Sequence, residues 1–143
     1  MSDAYAATIL RDQPVRYWRL NERFPSEPVQ DASGNAPVEH GRMDDSPTIG
    51  EPGALRGSSN CSMSFASSAH IEIPHAPEFS IPTSGEGLTV EVWMRPDALT
   101  FPGENNKRYI HWLGKGMPGQ MEWGLRLYSS DHPRRPRSIA AYA

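Results

Sequence analysis

Glycosidic bonds are cleaved by two carboxylates at a set separation, and the chain offers Glu91, in TVEVW, and Glu122, which stands alone in MEWG. No catalytic residue is assigned to either. Imidazole and carboxylate are ordinary zinc ligands, but His70 and Glu72 share a strand face while Pro74 breaks the strand before His75. That trio reads as solvent-facing polar residues. Asp31, Asn35, Asp44, Asp45 and Asn60 supply the oxygen donors that calcium uses, yet they lack EF-hand spacing, and Asp31 in DASG fits an Asx turn. Asp31 and Asn60 are kept as the calcium candidates; no other cofactor is expected. Cys61, the single cysteine, lacks a nucleophile context and reads as a buried thiol. Asn60-Cys61-Ser62 matches the glycosylation pattern by accident if no signal peptide is present.

The four tryptophans, Trp18, Trp93, Trp112 and Trp123, are the remaining chemistry. Aromatic faces stack on sugar rings, but large aromatics inside strands more often build a core. Trp93 stands opposite an aliphatic face, so it is the candidate ligand platform, with Glu91 and His111 completing the ligand-binding set.

The elements that must position these residues are short. Tyr5 to Asp12 predicts two helical turns, with Ser2 or Asp3 as N-cap and Pro14 beyond the end. VRYWRLNE, from Val15, has the β-branched and aromatic content of a strand. Loops follow around one short strand at Val38 to Arg42. Ser62 to Phe65 and His70 to Ile73 alternate polar with apolar residues and predict a hairpin, with Ile71 and Ile73 inward and His70 and Glu72 outward. Pro77 to Phe79 predicts one helical turn, and SGEG a loop. LTVEVWMR, Leu88 to Arg95, is the strongest strand signal, with Leu88, Val90, Val92 and Met94 on one face and Thr89, Glu91, Trp93 and Arg95 on the other. Strands at Arg108 to Leu113, Met121 to Tyr128 and Ser138 to Tyr142 complete the set. Gly114 to Gly119 is expected to turn, with the Lys115 charge in water. Many short strands separated by turn signals predict an all-β, antiparallel sandwich or jelly roll.

Composition sets the limits. The 143 residues fit one domain, and 14 prolines with 12 glycines exclude a bundle of long helices. With 14 Lys and Arg against 17 Asp and Glu, the net charge of -3 argues against nucleic acid as a partner; only Arg134, Arg135 and Arg137 are locally basic. No apolar run reaches the length of a spanning helix, so no membrane insertion is expected. Asp3, Arg11 and Asp12 interrupt the stretch where a secretory signal needs an apolar core, which predicts synthesis in the cytoplasm.

Several segments together resemble the laminin-G-like, concanavalin A-like jelly-roll superfamily, in its bacterial and phage LamG-like branch. They are Tyr5-Ala6-Ala7, VRYWRLNE (Val15 to Glu22), DASG (Asp31 to Gly34), PGAL (Pro52 to Leu55), IEIP (Ile71 to Pro74), LTVEVWMRP (Leu88 to Pro96), HWLGKG (His111 to Gly116) and RPRSI (Arg135 to Ile139). The resemblance implies one domain over residues 1–143, calcium at a sandwich edge in some members, and no enzymatic activity. In glucanase relatives the carboxylates share one strand as a Glu-x-Asp-x-x-Glu motif, which is missing around Glu91. Complete domains of the family are longer, so the resemblance also implies C-terminal strands after Tyr142 or strands supplied by a partner. It implies a virion protein of a phage tail or capsid surface, with other virion proteins, its own oligomer or a cell-surface glycan as partner. The alternatives are a purely structural cement or decoration protein, and an extracellular carbohydrate-binding module of a secreted bacterial protein.

Overall fold

Ala4–Arg11 forms the helix α1, in line with its alanine, leucine and arginine content. Asp12 and Gln13 donate back to the carbonyls of Ile9 and Leu10 at 3.0 and 3.2 Å, and Gln13 takes a left-handed φ of 53° ahead of Pro14. That closes the helix where a left-handed residue followed by proline ordinarily does. The computed structural model describes residues 4–66, 68–81, 87–103, 106–117 and 119–143, so the expected caps Ser2 and Asp3, Ser84 to Glu86 of the expected loop, and Pro118 of the expected turn lie outside the described residues. The chain divides into two compact units, Met1–His75 and Ala76–Ala143.

The first unit holds α1 and four strands, β1 (Arg42–Asp44), β2 (Thr48–Pro52), β3 (Cys61–Ser64) and β4 (His70–Glu72). The expected hairpin between the last two does not form: β4 pairs antiparallel with β1, and β3 pairs antiparallel with β2. Alternation marks the faces of a strand but not its neighbour, and here each strand finds an earlier one. The faces themselves are as expected, with Ile71 and Ile73 half-buried and His70 and Glu72 exposed. Around them packs Val29, which is fully buried and exchanges backbone hydrogen bonds with Gly41 at 2.8 and 2.9 Å. A Cβ on Gly41 would stand 2.6 Å from Ile73 and 2.7 Å from Ile71, so glycine is what lets these side chains close over the chain. The short strand expected from Val38 starts only at Arg42, and Val38 is exposed.

VRYWRLNE is not a strand. Leu20 takes a φ of 55°, which breaks the extended run, and one bridge between Trp18 and Asp31 is its sheet-like contact. Side chains tie it down in place of a ladder. Trp18 donates its indole N–H to the Glu39 carbonyl at 2.8 Å, and the Asn35 amide reaches the carbonyls of Pro14 and Val15 at 3.0 Å each.

In the second unit Pro77–Phe79 makes one 3₁₀ turn, and β5 (Tyr109–Met117), β6 (Gln120–Tyr128) and β7 (Ile139–Tyr142) form an antiparallel sheet in that order. β5 runs past the expected strand end and absorbs residues 114–117 of the expected turn. Gly116, at φ 118°, accommodates the register shift after Lys115. Leu127 and Tyr128 are buried at the centre of the sheet. Segment 88–95, the strongest strand signal, belongs to none of the described sheets. Every described sheet is antiparallel, so the fold is β-rich with one short helix.

Candidate functional site

Segment 88–95 shows apolar side chains to solvent on both of its faces. Val90 is 43% exposed, Val92 45% and Trp93 63%, and Glu91 is exposed between them. Trp93 is therefore not core. Its three counterparts are half-buried: Trp18 is tied to Glu39, Trp123 donates its indole N–H to the Phe79 carbonyl at 2.8 Å, and Trp112 has a buried indole nitrogen with no hydrogen-bond partner among the described residues.

His111 belongs to a cluster on the β5–β6–β7 sheet. It faces Arg126 across the β5–β6 register, and the Arg126 Nε–H donates to His111 Nε2 at 2.8 Å. The guanidinium carbon lies 4.8 Å from the Tyr109 ring centroid and 4.2 Å from that of Tyr142. Cation–π contact with two rings fixes the group. Tyr128, paired with Tyr109 in the register, accepts a hydrogen bond from Arg135 Nη1 at 3.2 Å. Burial would raise the Tyr128 phenol, but hydrogen bonds from Arg126 and Arg135 outweigh it and lower the phenol below its ordinary range. Burial would likewise discharge Arg126; the hydrogen bond to Tyr128 and the surrounding phenols outweigh it and favour the cation. Of these residues the sequence reading singled out His111 alone. The signal was present: Tyr109 and His111 alternate on one strand, Arg126 and Tyr128 on the next, and hairpin registry places them together.

The calcium candidates are spent on structure. Asp31 Oδ1 accepts the backbone N–H of Tyr17 at 3.2 Å and of Ser33 at 2.9 Å, as an Asx turn does, while Oδ2 lies 3.5 Å from Arg16 Nε. Asn60 Oδ1 accepts Arg19 Nη2 at 2.8 Å, and its amide donates to the Cys61 carbonyl at 2.8 Å. Cys61 itself is half-buried at the head of β3. His70 lies 3.7 Å from Asp44 across the β1–β4 pair. Among the described residues no group of three or more His, Cys, Asp and Glu side chains could hold a metal ion.

One expectation about a single residue is overturned. Lys115 does not hold its charge in water: its side chain is 15% exposed, its Nζ stands 2.9 Å from Glu122 Oε2, and it hydrogen-bonds the Ser80 hydroxyl. Glu122 Oε1 also accepts the Ile81 N–H at 2.8 Å. These contacts clamp the 3₁₀ turn to the β5–β6 hairpin. A shallow cleft is lined by Thr100, Phe101, Pro102, Asn106, Arg108 and Asp131, and its charges answer each other, with Arg108 Nη1 3.3 Å from Asp131 Oδ2. No described helix is long and apolar enough to cross a membrane. Comparison with protein-family models, curated proteins and solved structures finds no match to this chain.

Proposed function

We propose that this chain is a non-catalytic β-sandwich module, of the LamG-like jelly-roll class that its sequence resembles, which associates with further copies of itself on the surface of a phage virion. The carrying observation is the 88–95 segment, where Val90 and Val92 stand 43% and 45% exposed on a run that alternates like a core strand. A strand with apolar residues in water is ordinarily paired or covered.

Light scattering on the full chain and on a Val90→Lys, Val92→Lys double variant tests the reading. The unaltered chain is expected to be oligomeric, and the variant monomeric with the same circular dichroism. An unaltered chain that stays monomeric as its concentration rises and unfolds in one cooperative step would contradict it.

A second reading, adhesion to a cell-surface glycan, is favoured by the 63% exposure of Trp93, since sugar rings stack on aromatic side chains that reach the surface. A multivalent form of the chain on a glycan array should bind through Trp93 and lose binding on Trp93→Ala. An empty array would count against adhesion.

A further inference from the structure

Two guanidinium groups approach the Tyr109–Tyr128 pair of the β5–β6–β7 sheet, and no carboxylate among the described residues forms an ion pair with either. Arg126 is held between the rings of Tyr109 and Tyr142, and its Nε–H is used by His111. Two rings lie against the guanidinium and its Nε–H is committed, which leaves Nη donors of the kind that bind carboxylate or sulfate. Arg135 arrives from the exposed loop before β7, places Nη1 3.2 Å from the Tyr128 hydroxyl and lies 5.5 Å from that ring. Arg126 stands two residues before Tyr128 on β6 and lies over Tyr109, the register partner of Tyr128, so the two cations lie on one face of the sheet.

The loop is built to hold Arg135 there. His132 Nδ1 accepts the backbone N–H groups of Arg134 at 3.3 Å and Arg135 at 3.0 Å, and the His132 ring packs edge-on against Tyr128 at 4.8 Å. Asp131, the acid closest along the chain, is committed to Arg108 at 3.3 Å and to the Ser129 hydroxyl. Arg134 and Arg137 add positive charge beside the site. Like charges brought together without a counter-charge repel, and a bound anion relieves that repulsion.

We propose that Arg126 and Arg135 form an oxyanion subsite that takes the carboxylate or sulfate group of a ligand between them at the Tyr128 hydroxyl. The subsite lies on the three-stranded sheet and does not depend on self-association through segment 88–95.

Sodium sulfate, sodium glucuronate and neutral glucose, titrated at constant ionic strength into the full chain and followed by the arginine Nε–H resonances, test the proposal. Sulfate or glucuronate should saturate the Arg126 signal while glucose leaves it unmoved. Saturation by sulfate alone identifies a free tetrahedral oxyanion as the ligand, and saturation by glucuronate identifies a sugar carboxylate. Arg135→Ala should weaken binding roughly tenfold or more, and Arg126→Lys, which keeps the charge but loses the fork, by a similar factor. Arg11→Ala, on α1, should change nothing. Arg135 is exposed, so its variant carries the test even where Arg126→Lys perturbs the sheet. The proposal is overturned if neither anion saturates, if Arg135→Ala binds as the unaltered chain does, or if glucose matches glucuronate.

Discussion

Lys115 and Glu122 stand 2.9 Å apart on neighbouring strands of one hairpin, and through them the turn at Ser80 and Ile81 is held to the sheet. The hydrogen bond from Lys115, followed by that from the Ile81 N–H, lowers the Glu122 carboxyl below its ordinary range. Because the folded value is depressed, the stabilisation is present above the unfolded value, about 4.3, and is lost as pH falls through the lower folded value. Glu122→Gln should therefore lower the thermal midpoint at pH 7 and leave less difference from the unaltered chain in strong acid. Trp123, whose indole N–H is tied to Phe79 in the same turn, should shift its fluorescence to the red. A midpoint unchanged by the substitution would show that the clamp carries no stability.

Asp31 organises the other unit from a side chain that is 1% exposed beside an Arg16 side chain that is 4% exposed. Burial by itself raises this carboxyl. Hydrogen bonds from the Ser33 backbone and hydroxyl, and then from Tyr17 and Glu39, outweigh burial and hold it below the ordinary range. Asp31→Ala removes the acceptor of the Tyr17 and Ser33 N–H groups and should cost roughly 1 to 3 kcal/mol, the scale for leaving buried donors unsatisfied. Urea unfolding read by Trp18 fluorescence measures it. The native contribution is present above pH about 3.9 and fades as pH falls through the depressed folded value, so the variant should be the less acid-sensitive of the two. Calcium should not raise the stability of the unaltered chain, because the Asp31 oxygens face Tyr17, Ser33 and Arg16.

The parts of the fold that the sequence made legible are those in which local preference and tertiary pairing agree. α1 has good helix formers and a proline stop, and β5 and β6 alternate on both sides of a glycine-marked reversal. The misreadings share one cause. The β-branched and aromatic content of Val15 to Glu22 and the alternation of Leu88 to Arg95 say which residues suit a strand, but a strand exists through its ladder partner, and Leu20 at φ 55° or a neighbour elsewhere in the chain is invisible to a short window. The same gap hid the cation cluster. Tyr109, His111, Arg126, Tyr128 and Tyr142 are ordinary strand residues one by one, and only the registers Tyr109 to Tyr128, His111 to Arg126 and Gly124 to Tyr142 make them one face.

Leu127 carries the apolar side of that sheet. It is 6% exposed, opposite Ile110 on β5 and Ile139 on β7. Leu127→Ala should destabilise by about 2 to 5 kcal/mol, the range for emptying a buried leucine site. The fall in the urea midpoint with an unchanged slope would confirm a loss of packing. A cost under about 1 kcal/mol would mean that the site collapses around the smaller side chain or was never closed.

Gly124 offers a separate handle on Tyr142, which crosses over it. A Cβ at Gly124 would stand 2.8 Å from the Tyr142 hydroxyl and 3.0 Å from the ring carbon that bears it. The obstruction is the far end of a side chain, so Gly124→Ala should displace the ring and not the strand. Moving Tyr142 removes the closer of the two rings on Arg126, 4.2 Å away, at a cost of roughly 0.5 to 1 kcal/mol if one exposed cation–π contact is lost. The Arg126 Nε–H resonance and its exchange with solvent report this directly, with faster exchange expected in the variant. Gly103→Ala should behave differently, because there the Cβ meets backbone, 2.4 Å from the Tyr109 carbonyl oxygen, at a φ of 68°. That substitution forces the start of β5 to move, so its stability loss should exceed that of Gly34→Ala, where φ is 80° but the space is open and only the left-handed conformation costs, about 1 kcal/mol. Equal losses at the two positions would remove the argument that backbone contact at Tyr109 sets where the sheet begins.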